Sequence, residues 1–174
     1  MTQATVITVS DSCSRGERED LSGPAVAREL EAHGFDVQMR VLVPDERKAI
    51  EDALREAAKQ AGLVVTTGGT GIAPRDVTPE ATRAVCDRLL DGVAEAIRAE
   101  GRRETRFAAL GRGVCGTMQS GKNDGGGTLV LNLPGSPRGA VTSLKAVLPL
   151  LEHAVELLAG KTEHTNSENG GDQD

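Results

Sequence analysis

Glycine, hydroxyl and carboxylate residues cluster in four short segments, each of which follows an apolar run of the chain. The segments are residues 10–16 (SDSCSRG), 44–45 (PD), 67–79 (TGGTGIAPRDVTP) and 134–139 (PGSPRG). Gly68, Gly69 and Gly71 allow the backbone to come close to a ligand and to present its N–H groups. The hydroxyls of Thr67 and Thr70 add hydrogen-bond donors. The third segment therefore predicts a cradle for phosphate or another anion.

Thr78 and Pro79 have the composition of a helix start, because a capping residue is followed by proline. Such a start would add free N–H groups and the positive end of a helix dipole to the cradle. The glycine spacing is neither GxGxxG nor GxxxxGK[ST], which excludes the Rossmann and P-loop motifs. One glycine-rich turn is commonly just a turn, but four such segments at one edge of a sheet favour a binding site.

Asp45 and Asp76 supply one carboxylate each from two of these segments. Magnesium is typically held by one or two carboxylates together with substrate phosphates and water, so the pair suits Mg²⁺. The alternatives are that Asp45 caps the following helix and that Asp76 is a solvated carboxylate beside Arg75. Cations that could offset a polyphosphate, unless they are only surface charges, are Arg15, Arg75, Arg112 and Arg138.

Alternating strand and helix patterns place these segments in an α/β fold. Apolar runs predict strands at residues 5–9, 37–43, 63–67 and 128–133. Helical patterns follow at residues 24–33 and 46–61, and further helices begin at Thr78-Pro79 and Ser136-Pro137. This alternation indicates a mostly parallel sheet with helices on both faces, a three-layer αβα sandwich. Ligands of such sheets bind at the carboxyl ends of the strands, where all four segments lie.

Length and composition set further bounds. The 174 residues suit one domain, predicted over residues 1–160, and a disordered acidic tail over 161–174 with one Lys against four acidic residues. A net charge of −6 and only two aromatic residues, both Phe, argue against nucleic-acid binding. No apolar run is long enough to span a membrane, and no secretory signal is evident. Three widely spaced cysteines favour reduced thiols in the cytoplasm.

The motifs TTGGTG (residues 66–71), PRDVTPEAT (74–82) and LNLPGSP (131–137), in this order, resemble the molybdopterin adenylyltransferase family, the MogA/MoaB-like proteins, and are similar to the gephyrin G domain. The resemblance runs from about Thr5 to Gly160. It implies a homotrimeric α/β domain that transfers AMP from ATP to molybdopterin with Mg²⁺ and releases pyrophosphate. A molybdenum-insertion protein is an implied partner.

The resemblance also implies roles for individual residues. Asp45 and Asp76 match the functional aspartates of the family and are expected to be catalytic and magnesium-linked. The residues that match its phosphate-, pterin- and nucleotide-facing loops are Ser10, Asp11, Ser12, Thr67, Gly68, Gly69, Thr70, Gly71, Thr78, Pro134, Gly135 and Ser136. The reaction needs alignment and charge neutralisation rather than a strong base, because the attacking phosphate oxygen is already ionised.

This chain departs from the family pattern at three places. Some relatives carry serine where this chain has Gly101 and Gly111, and the segment 117–127 is longer, as in an extended hairpin-like loop. The missing hydroxyl at Gly111 supports a second hypothesis, a protein that binds molybdopterin or its precursor without activating it. A third hypothesis is a related domain that acts on another pterin or nucleotide.

Overall fold

The computed structural model describes residues 1–119 and 126–160, and its centre is a six-stranded sheet. The strands are β1 (Thr2–Val9), β2 (Phe35–Val43), β3 (Leu63–Thr67), β4 (Arg88–Leu89), β5 (Cys115–Gln119) and β6 (Gly127–Leu133). Their order across the sheet is β2-β1-β3-β6-β5-β4. β2, β1, β3 and β6 are parallel, whereas β5 is antiparallel to both of its neighbours, β6 and β4. The carboxyl ends of the four parallel strands therefore lie at one edge.

Helices cover both faces of this sheet. They are α1 (Asp11–Ser14), α2 (Ser22–Ala32), α3 (Arg47–Ala58), α4 (Thr78–Val85), α5 (Asp91–Glu104) and α6 (Pro137–Leu158), with a 3-10 helix at Arg106–Leu110. Side chains alternate between two cores: Leu63 and Val65 pack with α2 and α6, whereas Val64 packs with α3. The fold is the predicted three-layer α/β sandwich with a mostly parallel sheet.

All four predicted strands are confirmed, and β3 has the predicted bounds. β4, β5, α1 and α5 were not predicted. β4 has two exposed residues and β5 is only five residues long, so neither forms a long apolar run. α5 has a single fully buried residue, Ala94, because it lies over the edge of the sheet rather than its centre.

Two predicted helix caps are wrong. The helix after β2 begins at Arg47, with Glu46 in the cap position, so Asp45 lies one residue too early to cap it. The helix after the glycine loop has Val77 in the cap position and Thr78 in its first turn. Asp45 and Thr78 have other partners, which lie in the loops at the sheet edge.

β5 and β6 form an antiparallel pair in which Gln119 faces Gly127. The ends of the predicted loop 117–127 are therefore strand residues, and its centre, 120–125, lies outside the described residues, as does the predicted tail 161–174. Among the helices of the described ranges, none combines the length and the apolar character needed to cross a membrane.

Candidate active site

A cavity of about 640 Å³ opens at the carboxyl edge of the parallel strands. It brings together both predicted aspartates and residues from all four predicted segments. The predicted site residues in its wall are Ser10, Asp45, Thr67, Gly68, Gly69, Asp76, Gly135 and Ser136. We call it the polar cavity.

Two buried threonines, Thr67 and Thr78, hold the glycine loop after β3 through hydrogen bonds from their hydroxyls to backbone carbonyls. Gly68 and Gly69 have φ angles of +101° and +65°, a conformation that favours glycine. The Thr78 hydroxyl donates to the Gly68 carbonyl at 2.9 Å, and the Thr67 hydroxyl donates to the Pro134 carbonyl at 2.7 Å. Both threonines are fully buried. Their hydroxyls therefore shape the loop and join it to the loop after β6.

Peptide N–H groups of the glycine loop are available to a ligand. The N–H of Gly68 donates to the Leu133 carbonyl at 3.2 Å. Those of Gly69, Thr70 and Gly71 have no hydrogen-bond acceptor within residues 1–119 and 126–160. Three successive free amides carry partial positive charge without an ionised side chain, which suits an anion.

Asp45 is fixed by a reciprocal pair of hydrogen bonds with Asp11. The Asp11 N–H donates to Asp45 Oδ2 at 2.8 Å, and the Asp45 N–H donates to Asp11 Oδ1 at 3.0 Å. Arg75 grips the Asp11 carboxylate with two hydrogen bonds of 2.8 Å each. The guanidinium lowers the pKa of Asp11. Asp11 therefore links the loops after β1, β2 and β3 instead of lining the polar cavity.

The Asp45 carboxyl has an unfavourable electrostatic environment. Burial raises its pKa above the usual value, and the negative charges of Asp11 and Asp76 raise it further. Asp76 Oδ2 accepts a hydrogen bond from the Ala73 N–H at 2.9 Å, so one oxygen of this carboxylate is bonded within the loop that carries it. Two neighbouring carboxylates with one raised pKa are typical of a site that takes up a cation.

The donor set fits magnesium bound together with a phosphate ligand. Asp45 and Asp76 contribute two carboxylates to one cavity, and hard oxygen donors are what Mg²⁺ prefers. Within the described ranges, no group of three or more His, Cys, Asp or Glu side chains could hold a metal alone. Asp45 and Asp76 would hold the ion, and substrate oxygens and water would complete its coordination.

A second cavity, of about 440 Å³, lies beside the first and is mostly apolar. Its wall includes Thr70, Gly71 and Pro134 from the predicted site, and the side chains of Ile97, Phe107 and Leu110 from α5 and the 3-10 helix. Gly101 and Gly111 also line this apolar cavity. Gly135 and Ser136 line both cavities, so the two spaces meet at the loop after β6.

Two predicted serines have capping roles. Ser10 Oγ accepts the Cys13 N–H at 3.2 Å and lies 3.2 Å from Ser12 Oγ, and Ser136 Oγ accepts the Gly139 N–H at 3.1 Å. They cap α1 and α6 while lining the polar cavity. Asp11, Ser12 and Thr78 line neither cavity.

The four predicted cations are all engaged by carboxylates. Arg15 pairs with Glu17, Arg75 with Asp11, Arg112 with Glu80 and Arg138 with Glu104.

Sequence reasoning missed Arg18, which lines the polar cavity and has no ion pair within the described residues. It also missed Asp20, which accepts hydrogen bonds from the Thr8 hydroxyl at 2.7 Å and the Gly23 N–H at 2.9 Å. Both lie in the polar stretch after β1, but no spacing singled them out.

Comparison with known proteins gives a consistent result. The family model described as "Probable molybdopterin binding domain" matches residues 5–153. A molybdopterin adenylyltransferase of Helicobacter pylori J99 is 37% identical over 168 residues, which cover 94% of this chain and 92% of that protein. The Drosophila melanogaster molybdenum cofactor synthesis protein cinnamon is 39% identical over 157 residues, but the match spans 88% of this chain and only 25% of cinnamon.

Among solved structures, the molybdopterin biosynthesis enzyme MoaB of Thermus thermophilus superposes with a TM-score of 0.83 at 48% identity, covering 92% of this chain and 98% of that chain. The family model covers most of the chain and includes β2, β3, β6, all of β1 after its first three residues, the glycine loop and both aspartates. The chain therefore belongs to the molybdopterin-binding MogA/MoaB family.

Proposed function

We propose that this protein transfers AMP from ATP to the phosphate of molybdopterin and releases pyrophosphate, with Mg²⁺ as cofactor. The observation that carries the proposal is the pair of cavities that meet at Gly135 and Ser136. One cavity is polar and contains two carboxylates and the glycine loop, and the other is apolar and suits a flat ring system. Two adjoining sites of different character are what a transfer between two substrates requires.

In the proposed reaction, an oxygen of the molybdopterin phosphate attacks the α-phosphorus of ATP. The bond between that phosphorus and the bridging oxygen to the β-phosphorus breaks, and pyrophosphate leaves with the bonding electrons. The free amides of Gly69, Thr70 and Gly71 would hold phosphate oxygens in line, and Arg18 would add a positive charge. Asp45 and Asp76 would hold Mg²⁺, which neutralises charge on the phosphates.

A pyrophosphate-release assay with ATP and Mg²⁺, run with and without molybdopterin, tests the proposal. We expect release that depends on molybdopterin and falls at least about a hundredfold in Asp76→Asn, since a carboxylate that binds the metal is lost. Asp52→Asn on the exposed face of α3 is the matched control and should keep full activity. Retention of molybdopterin without pyrophosphate release would instead favour the non-catalytic binding protein, for which Gly111 in the apolar cavity wall is the supporting observation.

Three broader properties are proposed with the activity, two of them from the family resemblance and the cytoplasmic location from the three widely spaced cysteines. They are a homotrimeric assembly, action in the cytoplasm and transfer of the product to a molybdenum-insertion protein. Sedimentation velocity tests the assembly directly. Cross-linking during turnover with a purified insertion protein tests the transfer, with the Asp76→Asn variant as the control that forms no product.

A further inference from the structure

Arg112 contacts the loop that carries Asp76. Its Nε donates to the Gly71 carbonyl at 2.7 Å, and its Nη2 donates to the Asp76 carbonyl at 2.7 Å. Its own N–H donates to the Thr70 carbonyl at 2.9 Å. One residue therefore holds both ends of the loop formed by residues 71–76, in addition to the last threonine of the glycine loop.

The position of the Asp76 carboxylate depends on this loop. Oδ2 of Asp76 accepts the Ala73 N–H at 2.9 Å, and the Asp76 N–H donates back to the Ala73 carbonyl at 2.9 Å. The carboxylate also lies against Gly71, where an added Cβ would come within 2.7 Å of Oδ2. Because Arg112 binds the carbonyls of both Gly71 and Asp76, it fixes the two backbone units that confine this side chain.

Glu80 holds Arg112 in place. Nη1 of Arg112 donates to Glu80 Oε1, and the guanidinium lowers the pKa of Glu80. The other carboxylate oxygen, Oε2, is buried and has no hydrogen-bond partner among the described residues. Glu80 lies in the first turn of α4, so its ion pair with Arg112 connects the arginine to this helix.

Arg112 lines neither the polar nor the apolar cavity, although its neighbours Gly111 and Gly113 line the apolar one. Its charge is balanced by Glu80 and two of its N–H groups are directed at peptide carbonyls. A guanidinium engaged in this way is not available to a phosphate, which argues against a role as a substrate ligand.

We propose that Arg112 is a positioning residue that sets the metal-binding geometry of Asp76 by holding residues 71–76. The inference rests on the proposed function of Asp76 as a magnesium ligand. Loss of the side chain frees two backbone carbonyls and Glu80 at once, so the loop that carries Asp76 relaxes, whereas of the apolar cavity's wall only Gly71 and Ile72 belong to this loop. The expected consequence is weaker metal binding with little change in pterin binding.

The experiment compares Arg112→Ala with Arg83→Ala. Arg83 is an exposed arginine of α4 that also acts electrostatically on Glu80. Within residues 1–119 and 126–160, its side chain makes no hydrogen bond to the loop 71–76. In Arg112→Ala we expect kcat to fall about tenfold to a hundredfold, as displacements of about 1 Å do in active sites. The Mg²⁺ concentration for half-maximal rate should rise severalfold, and KM for molybdopterin should change less than about twofold. Arg112→Lys should lie between, because lysine can replace only one of the hydrogen bonds.

Two readouts are independent of turnover. Hydrogen exchange of the apoprotein should become faster in residues 71–76 of Arg112→Ala and stay unchanged there in Arg83→Ala. Calorimetric titration with Mg²⁺ and a non-hydrolysable ATP analogue should show weaker binding only in the Arg112 variants. These measurements keep their meaning if the wild-type protein releases no pyrophosphate, so failure of the proposed activity is distinguishable from failure of the inference.

A double-mutant cycle completes the test. If Arg112 acts through Asp76, Arg112→Ala should cost little further activity or Mg²⁺ binding in an Asp76→Asn background. Losses that multiply would overturn the inference. So would unchanged exchange of residues 71–76, or a shift in magnesium dependence no larger than that of Arg83→Ala. If Arg112→Ala does not fold, the Arg112→Lys and Glu80→Gln variants decide the same comparisons.

Discussion

Replacing Gly69 by alanine tests whether the glycine loop needs glycine for its close contacts or only for its backbone conformation. A Cβ at Gly69 would lie 2.3 Å from the Thr78 hydroxyl and 3.0 Å from Asp45 Oδ1. Gly16 provides a matched control, because its φ of +73° is close to the +65° of Gly69 but nothing lies within 4 Å of an added Cβ. Both substitutions force alanine into the same strained backbone region, and only Gly69→Ala also creates a clash.

The two variants should differ by the cost of that clash. Both carry about 1–2 kcal/mol of backbone strain. In Gly69→Ala the Thr78 hydroxyl must also leave the Gly68 carbonyl, to which it donates at 2.9 Å in a buried position. A buried polar group left without its partner costs about 1–3 kcal/mol. At about 2–4 °C per kcal/mol for a chain of this size, Gly69→Ala should melt about 2–12 °C below Gly16→Ala.

Far-ultraviolet circular dichroism is the suitable assay for melting, because the chain contains no Tyr or Trp to report on tertiary structure. Pyrophosphate release should be nearly normal in Gly16→Ala and at least about tenfold lower in Gly69→Ala, since the methyl group also displaces Asp45 from its position. Equal melting temperatures and equal rates in the two variants would refute the argument, because backbone strain alone would then explain both.

Two further predictions concern ionisation. Because burial raises the pKa of Asp45 in the metal-free protein, the Mg²⁺ concentration for half-maximal rate should begin to rise with acidification at a higher pH than an ordinary aspartate would give. Asp45→Asn should abolish activity, yet leave the neutral-pH melting temperature of the apoprotein unchanged or higher, since the folded state disfavours the charged carboxyl. Burial also raises the pKa of Cys86 to about 11 and the pKa of Cys115 to about 12. Iodoacetamide reacts with thiolates, so at neutral pH it should leave both cysteines unmodified in the native protein. After denaturation, mass spectrometry should find all three cysteines of the chain alkylated.

The sheet could be predicted wherever strands are buried on both faces. Residues of β3 are all buried, and the continuous apolar run that this requires gives the strand its predicted bounds. The antiparallel edge could not be predicted in the same way. β4 exists only because Arg88 and Leu89 pair with Thr117 and Gly116, and neither of its residues carries a burial pattern of its own. Pairing with a distant segment, rather than local sequence, defines that strand.

The location of the candidate site could be predicted from the topology of the sheet, but the hydrogen-bond partners of its individual residues could not. Parallel strands end at one edge, so Asp45, Asp76 and the glycine loop could be expected together. Sequence reasoning assigned Thr67 and Asp11 to the ligand and did not foresee that both also join loops: Thr67 donates to the Pro134 carbonyl, and Asp11 is bonded to Asp45 and Arg75. Such contacts depend on how neighbouring loops pack, which no local spacing encodes.

The arrangement of charge explains why this acidic protein would need a metal ion. Arginines near the site are engaged in holding loops: Arg75 joins three loops through Asp11, and Arg112 holds the loop of Asp76. Among the residues that line the polar cavity, Arg18 supplies the positive charge and the free N–H of Gly69 supplements it, whereas Thr70 and Gly71, whose N–H groups are also free, line the apolar cavity. The same cavity holds the carboxylates of Asp45 and Asp76; burial raises the pKa of Asp45, and the negative charges of Asp11 and Asp76 add to the repulsion there. A divalent cation would relieve that repulsion and offset the substrate phosphates at the same time. Because the arginines near the site hold loops in place and are not free to bind phosphate, the proposed dependence on a metal ion follows from their structural role.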